Sequence, residues 1–200
     1  MVKTAVKTVL IILGILIAVF AVFNFAFPQH MATATESIGN YDLAVKYASL
    51  RYYYTKNCDD LARCFDDSVL LGKDEYILQY GEPLINHRDY DAVCTDKNSQ
   101  QTGSGYDYDH WVKGKLAVSY YNTGKKDKAV DMAAADNGNK SFTYGNALMS
   151  LAVRIRAEKD AETAEKLADV LKLITPTEQQ EVNYLNTVIS AMTTVANGQG

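Results

Sequence analysis

Residues Thr8–Phe27 form a run of twenty positions without a charged side chain, TVLIILGILIAVFAVFNFAF, preceded by Lys3 and Lys7 and closed by Pro28. At about 1.5 Å per residue, a helix of that length spans about 30 Å, the hydrocarbon thickness of a bilayer. A single segment in lipid can satisfy its own N–H and C=O groups only as a helix. The run therefore predicts a transmembrane helix at 8–27 behind a short cytoplasmic N-terminus at 1–7. No Lys or Arg follows until Lys46, so the positive-inside tendency sends the C-terminal part across the membrane. The alternative is secretion after signal cleavage, because Ala32-Thr33-Ala34 supplies a small-residue A-x-A pattern ahead of Thr35. Against cleavage, the apolar run is longer than a signal's usual core of about 7–15 residues. Both routes place residues 36–200 outside the cytoplasm.

The exported part is acidic. Removing Lys3 and Lys7 from a net charge of −4 leaves −6, which argues against nucleic acid or an anionic lipid surface as the main partner. Its length suits one well-buried domain. Cys58, Cys64 and Cys94 lie in a compartment where disulfides persist. On one continuous helix Cys58 and Cys64 would sit about 9 Å apart along the axis, too far to bridge. A bridge from Cys94 to either, or three free thiols, remain as alternatives.

Apolar residues recur at helical intervals, as in Leu167, Val170, Leu171 and Ile174, and no strand-like alternation occurs, so the expected fold class is all-α. Turn segments set in register reveal an internal repeat: GNYDLAVKYA (39–48), GKDEYILQYG (72–81), GKKDKAVDMA (124–133) and EKDAETAEKL (158–167). Their aligned residues Ala44, Ile77, Ala129 and Ala164 are spaced 33, 52 and 35. A period of about 34 with one insertion explains all three gaps. The insertion, at about 87–107, is rich in Asp, Gln, Ser and Gly and predicts a long loop.

In its best unit, Leu116, Ala117 and Tyr120 precede Ala129 by a fixed offset; in the next, Leu151, Ala152 and Ile155 precede Ala164, with Pro176 twelve residues on. On these residues the chain resembles a tetratricopeptide repeat protein. An earlier unit is degenerate, with Cys64, Phe65, Ser68 and Ile77, and the first shows only its second helix. The resemblance implies a solenoid of helical hairpins over about 36–176, capped by an apolar helix at 178–196.

Catalytic signals are missing. The three histidines are scattered, and no nucleophile elbow, H-E-x-x-H, phosphate loop or dinucleotide fingerprint occurs. Asp59-Asp60 and Asp66-Asp67 are neighbours that point about 100° apart on a helix, so neither pair converges on one proton. Asp96, Asn98, Gln100 and Asp107 fall at calcium-loop positions, but Gln101 stands where such loops need glycine. No cofactor or metal is expected. The notable excess is tyrosine, fourteen in all, including Tyr52-Tyr53-Tyr54. Three adjacent residues spread over about 200° of a helix, so at least one should be exposed. The resemblance further implies a concave partner-binding groove, here Trp111, Tyr121, Asn122, Asn146, Met149 and Arg156. The expected function is a membrane-anchored adaptor holding a protein or peptide partner. A small-ligand or glycan sensor is the alternative, and an unrecognised enzyme the third reading.

Overall fold

A computed structural model of the chain describes residues 2–100, 107–136, 146–176 and 178–199. Among them every regular element is an α-helix, as the periodicity predicts, and the helices fall into two compact units, Met1–Leu71 and Gly72–Gly200.

The first unit begins with α1 (Val2–Ala26), whose stretch Val6–Phe23 is long and apolar enough to cross a membrane and buries nothing against the protein. Phe27 interrupts the helix, and Pro28 opens α2 (Pro28–Ser37) at the position where its fixed φ and missing N–H are tolerated. Next come α3 (Tyr41–Thr55) and α4 (Cys58–Leu71), and α3 packs against both α2 and α4. The contacts are made largely by small residues: Ala32, Ala44, Ala48 and Ala62 are at most 2% exposed, with Leu61 and Phe65 filling the space between. Arg63 on α4 ties itself to α2, Nε to Glu36 at 2.5 Å and Nη2 to the Thr33 hydroxyl at 2.8 Å. The A-x-A tripeptide thus lies inside a packed helix.

The second unit comprises α5 (Asp74–Ile85), α6 (Tyr90–Gln100), α7 (Tyr108–Asn122), α8 (Lys126–Ala135), α9 (Ala147–Glu158), α10 (Ala161–Lys172) and α11 (Gln179–Ala196). The central α7 packs on α5, α6, α8 and α9; α8 also meets α9 and α10, and α11 covers α10. Leu116, Leu148, Leu151, Ile155, Leu167 and Leu171 are at most 1% exposed. At about 1.5–3 kcal/mol each, they outweigh exposed ion pairs worth about 0–1 kcal/mol.

The expected loop at 87–107 instead contains α6. Tyr90, Val93 and Cys94 form a buried i, i+3, i+4 stripe, while the polar residues that suggested a loop occupy the remaining faces. Residues 101–106 lie outside the described residues. The expected capping helix at 178–196 is α11, which buries Leu185, Val188, Met192 and Val195.

One turn geometry joins α2 to α3, α7 to α8 and α9 to α10. In each, a left-handed residue (Gly39, Gly124 or Lys159) donates its N–H three residues back. The following N–H, of Asn40, Lys125 or Asp160, reaches five residues back, to Thr35, Tyr120 or Ile155. This is the Schellman closure. Its last residue is also the N-cap position of the next helix, where the Asn40 and Asp160 side chains accept a backbone N–H and Lys125 does not. Ala44, Ile77, Ala129 and Ala164 are each the fourth residue of a helix and at most 6% exposed.

Asp67 on α4 is a counterexample to tidy packing. It is 3% exposed, and among the described residues its Oδ2 finds no hydrogen-bond partner. Burial first, then the adjacent Glu36 carboxylate, pushes its pKa up to about 7, with Arg63 opposing and Asp66 adding to the rise.

Two outcomes follow. Lys159 holds a left-handed conformation where two equivalent turns use glycine, so Lys159→Gly should stabilise the fold by about 0.5–1 kcal/mol in denaturant titration. A folded-state pKa above the unfolded value means stability is full below about pH 4 and falls as pH rises through about 7. Once the intrinsic base-catalysed rate is divided out, the protection of α2 and α4 amides in the detergent-solubilised protein should therefore fall over that range. Asp67→Asn should raise that protection at pH 8 by roughly 1–3 kcal/mol of opening free energy; equal protection across the range would remove the assignment.

Candidate functional site

The candidate residues lie on α7 and α9, which pack side by side, but they do different jobs. Asn146 is 1% exposed and caps α9: its Oδ1 accepts from Met149 N at 2.7 Å and from the Tyr184 hydroxyl at 3.3 Å. Tyr121 is 3% exposed and donates to Asp160 at 2.8 Å. Both polar groups are spent inside the fold. Trp111 is half-buried and stacks on the buried Tyr108, ring centroids 5.6 Å apart. Met149 is half-buried and Arg156 exposed.

Asn122 is the exposed member that joins elements. Its Nδ2 donates to Asp74 on α5 at 3.0 Å, and its Oδ1 accepts from Arg154 on α9 at 3.0 Å. Arg154 also pairs with Glu158 at 2.6 Å. The arginine that meets Asn122 is therefore Arg154 and not Arg156, two positions and about 200° away around the helix. Ser119 adds a second donor to Asp74 at 2.7 Å.

Around Asn122 lies an open groove of about 590 Å³ between α5 and the α7–α8 turn, lined by Asp74, Glu75, Leu78, Gln79, Glu82, Asn122, Thr123 and Lys125. Pro83 sits within α5 and lacks an N–H, which leaves the carbonyl of Gln79 without its helical partner. Glu82 accepts from the Tyr120 hydroxyl at 2.8 Å. Three carboxylates against one ammonium give the groove a negative field. Sequence reading found Asn122 but not the α5 wall, whose Asp74, Glu75, Gln79 and Glu82 look like an ordinary solvated helix face.

A second polar cluster lies at the other end of α7. Ligand atoms of Asp107, Asp109 and His110 fall within 4.8 Å of one another. Two of its members are already paired: Lys113 Nζ is 2.6 Å from Asp109, and His110 Nδ1 is 2.6 Å from the buried Asp136. Burial disfavours the imidazolium, but Asp136, Asp107 and Asp109 together hold the His110 pKa above its ordinary value. The calcium-loop reading fails on geometry, since Asp96, Asn98 and Gln100 lie on α6. There Asp96 accepts from the Gln100 amide and Asn98 from Tyr108 N.

The cysteines are free and buried, Cys58 and Cys64 together on α4 and Cys94 on α6. Burial pushes the Cys94 thiol up to about 11 and Cys64 higher still, so both remain protonated at neutral pH. The chain matches no family model, no curated protein and no solved structure.

Asp160 concentrates the electrostatics beside α7. Burial opposes its charge, but Lys126 at 2.7 Å, the Thr163 hydroxyl at 2.7 Å and N–H at 3.2 Å, and Tyr121 outweigh that and hold its pKa well below the usual carboxylate range. A depressed folded pKa means stability present above about pH 4 and lost as pH falls. Asp160→Ala should destabilise by about 2–4 kcal/mol at neutral pH through lost cap and charge-assisted bonds. In thermal melts the gap to wild type should narrow below about pH 4.

Proposed function

We propose that the protein is a single-pass, membrane-anchored adaptor with its N-terminus in the cytoplasm and a tetratricopeptide-like stack of helical hairpins outside it. The groove between α5 and the α7–α8 turn holds an extended, basic segment of a protein partner. The observation that carries the reading is the groove itself: open, lined by Asn122 and walled by carboxylates. An extended chain offers backbone amides to Asn122 and the Gln79 carbonyl, and its Lys or Arg side chains complement Asp74, Glu75 and Glu82. A small-ligand site would enclose most of its occupant, whereas this groove lies open at the surface. Three features support the hairpin-stack part of the reading. The same turn recurs in both units, small residues sit buried at the fourth helical position, and α7, α8, α9 and α10 pack in a neighbour-to-neighbour pattern.

The anchor contributes by confining the partner to the membrane surface, which raises the effective concentration of the pair without any new contact. No catalytic role is assigned. The carboxylates of the groove are held by neighbours, Asp74 by the Ser119 hydroxyl and the Asn122 amide and Glu82 by the Tyr120 hydroxyl, which favours structure over proton transfer.

A photo-crosslinking residue at Gln79 in the full-length protein, irradiated in its native membrane, should capture a discrete partner that the same residue at the exposed Glu165 of α10 does not. Glu75→Lys should weaken that capture roughly tenfold, about 1.4 kcal/mol. Equal capture from both positions, or capture indifferent to the charge reversal, would refute the groove.

A further inference from the structure

Among residues whose exposure is described, the exposed aromatic side chains are Phe23 (46%), Phe27 (47%), Tyr53 (66%) and Tyr54 (67%). Phe23 of α1 adjoins Phe27 just beyond it, ring centroids 5.0 Å apart. Tyr53 adjoins Tyr54 at the end of α3, 5.3 Å apart. One member of each pair, Phe27 and Tyr54, lines the same cavity. The cavity, of about 320 Å³, is lined by Ala26–His30 from the α1–α2 junction and by Arg51, Tyr54 and Thr55 from α3. Helix lengths explain the convergence. The hairpin turn at 38–40 sends α3 back alongside α2, but α3 has fifteen residues and α2 ten. The returning helix therefore overshoots the start of α2 by about 7 Å.

That overshoot has a definite meaning once α1 crosses a bilayer. The uncharged run ends at Phe27, which puts Phe27 at the edge of the hydrocarbon, against the headgroup layer of about 5–7 Å that flanks it. The tip of α3 shares the cavity that Phe27 lines, so it reaches the same depth. Tyrosine rings favour that layer, apolar body inward and hydroxyl toward water. Lys56 ends α3 with its ammonium 4.8 Å from the Tyr53 ring centroid, placed to extend toward the lipid phosphates. Arg51 is held beside the cavity by Asp60 at 2.8 Å, and that carboxylate together with Asp59 keeps the local charge near zero. Zwitterionic phospholipid suits such a surface.

We propose that the C-terminal turn of α3, through Tyr53 and Tyr54, docks into the phospholipid headgroup layer of the membrane that α1 crosses, giving the first unit a second point of attachment. This rests on the membrane-anchor reading of α1. The consequence is orientational. A single helix followed by a flexible joint leaves a domain free to swing, whereas two contacts on one interface fix the α2–α3 hairpin upright on the bilayer.

Trp111 is the single tryptophan, so Trp111→Phe provides a silent background for depth measurement in full-length protein reconstituted into phosphatidylcholine vesicles with brominated acyl chains. Leu16→Trp probes the middle of α1, Tyr54→Trp the tip of α3, and Ile38→Trp the exposed far turn of the hairpin. The expected result is strong quenching at Leu16, intermediate quenching at Tyr54 and none at Ile38. Quenching at Leu16 with Tyr54 as bright as Ile38 overturns the docking and leaves the anchor intact. Quenching at Ile38 equal to that at Tyr54 overturns the upright geometry, and an unquenched Leu16 overturns the anchor and this proposal together. All three probe sites are exposed, and circular dichroism in detergent checks that each variant keeps the wild-type helix content.

Discussion

The Schellman closure between paired helices is the constraint on which the hairpins depend. An N–H that reaches five residues back, past a left-handed residue, reverses the chain in three positions and fixes where the next helix begins. The fourth residue of that next helix is then buried, and it has to be small where two helices press together, which is why Ala44, Ala129 and Ala164 recur. A larger residue there would have to displace a neighbouring helix. Ile77, at the same position of α5, shows that the site tolerates bulk where its surroundings leave room. Turn geometry and packing thus select each other, and the remaining helices are placed by which hairpin they lean on.

Much of this was legible because glycine and alanine carry local information. A positive φ is costly for most residues, so Gly39 and Gly124 announced turns wherever they fell in the fold. Lys159 did not, and its turn was found only by register with the others. The helix at 90–100 was hidden for the opposite reason. Its buried stripe is three residues, Tyr90, Val93 and Cys94, too few to show a period among Asp, Lys, Asn, Ser and Gln.

The site was less readable because its geometry is long-range. Tyr121 and Asn122 are adjacent on α7, yet one reaches Asp160 inside the fold and the other reaches Asp74 and Arg154 at its surface. Nothing in the local sequence distinguishes these fates. They follow from the rotation of α7 against α5 and α10, settled only when the helices pack. Arg154 and Arg156 present the same problem on α9. The α5 wall was invisible for a related reason, since Glu75 and Gln79 acquire meaning only opposite Asn122.

The choice between anchor and cleaved signal turns on packing more than on the apolar run. Cleavage after Ala34 would remove seven of the ten residues of α2, including the buried Ala32 and the Thr33 hydroxyl that receives Arg63. Arg63 would lose the Thr33 hydroxyl and meet Glu36 on a stub too short to form a helical turn of its own, and α3 would lose one of the two helices it packs against. Retention keeps α2 directly behind α1, separated from it by Phe27 alone, so that the residues following the apolar helix form the first wall of the folded unit. The break at Phe27 is a single residue, and it is this short joint that lets Phe27 and Tyr54 line one cavity: a longer linker would uncouple the apolar helix from the hairpin.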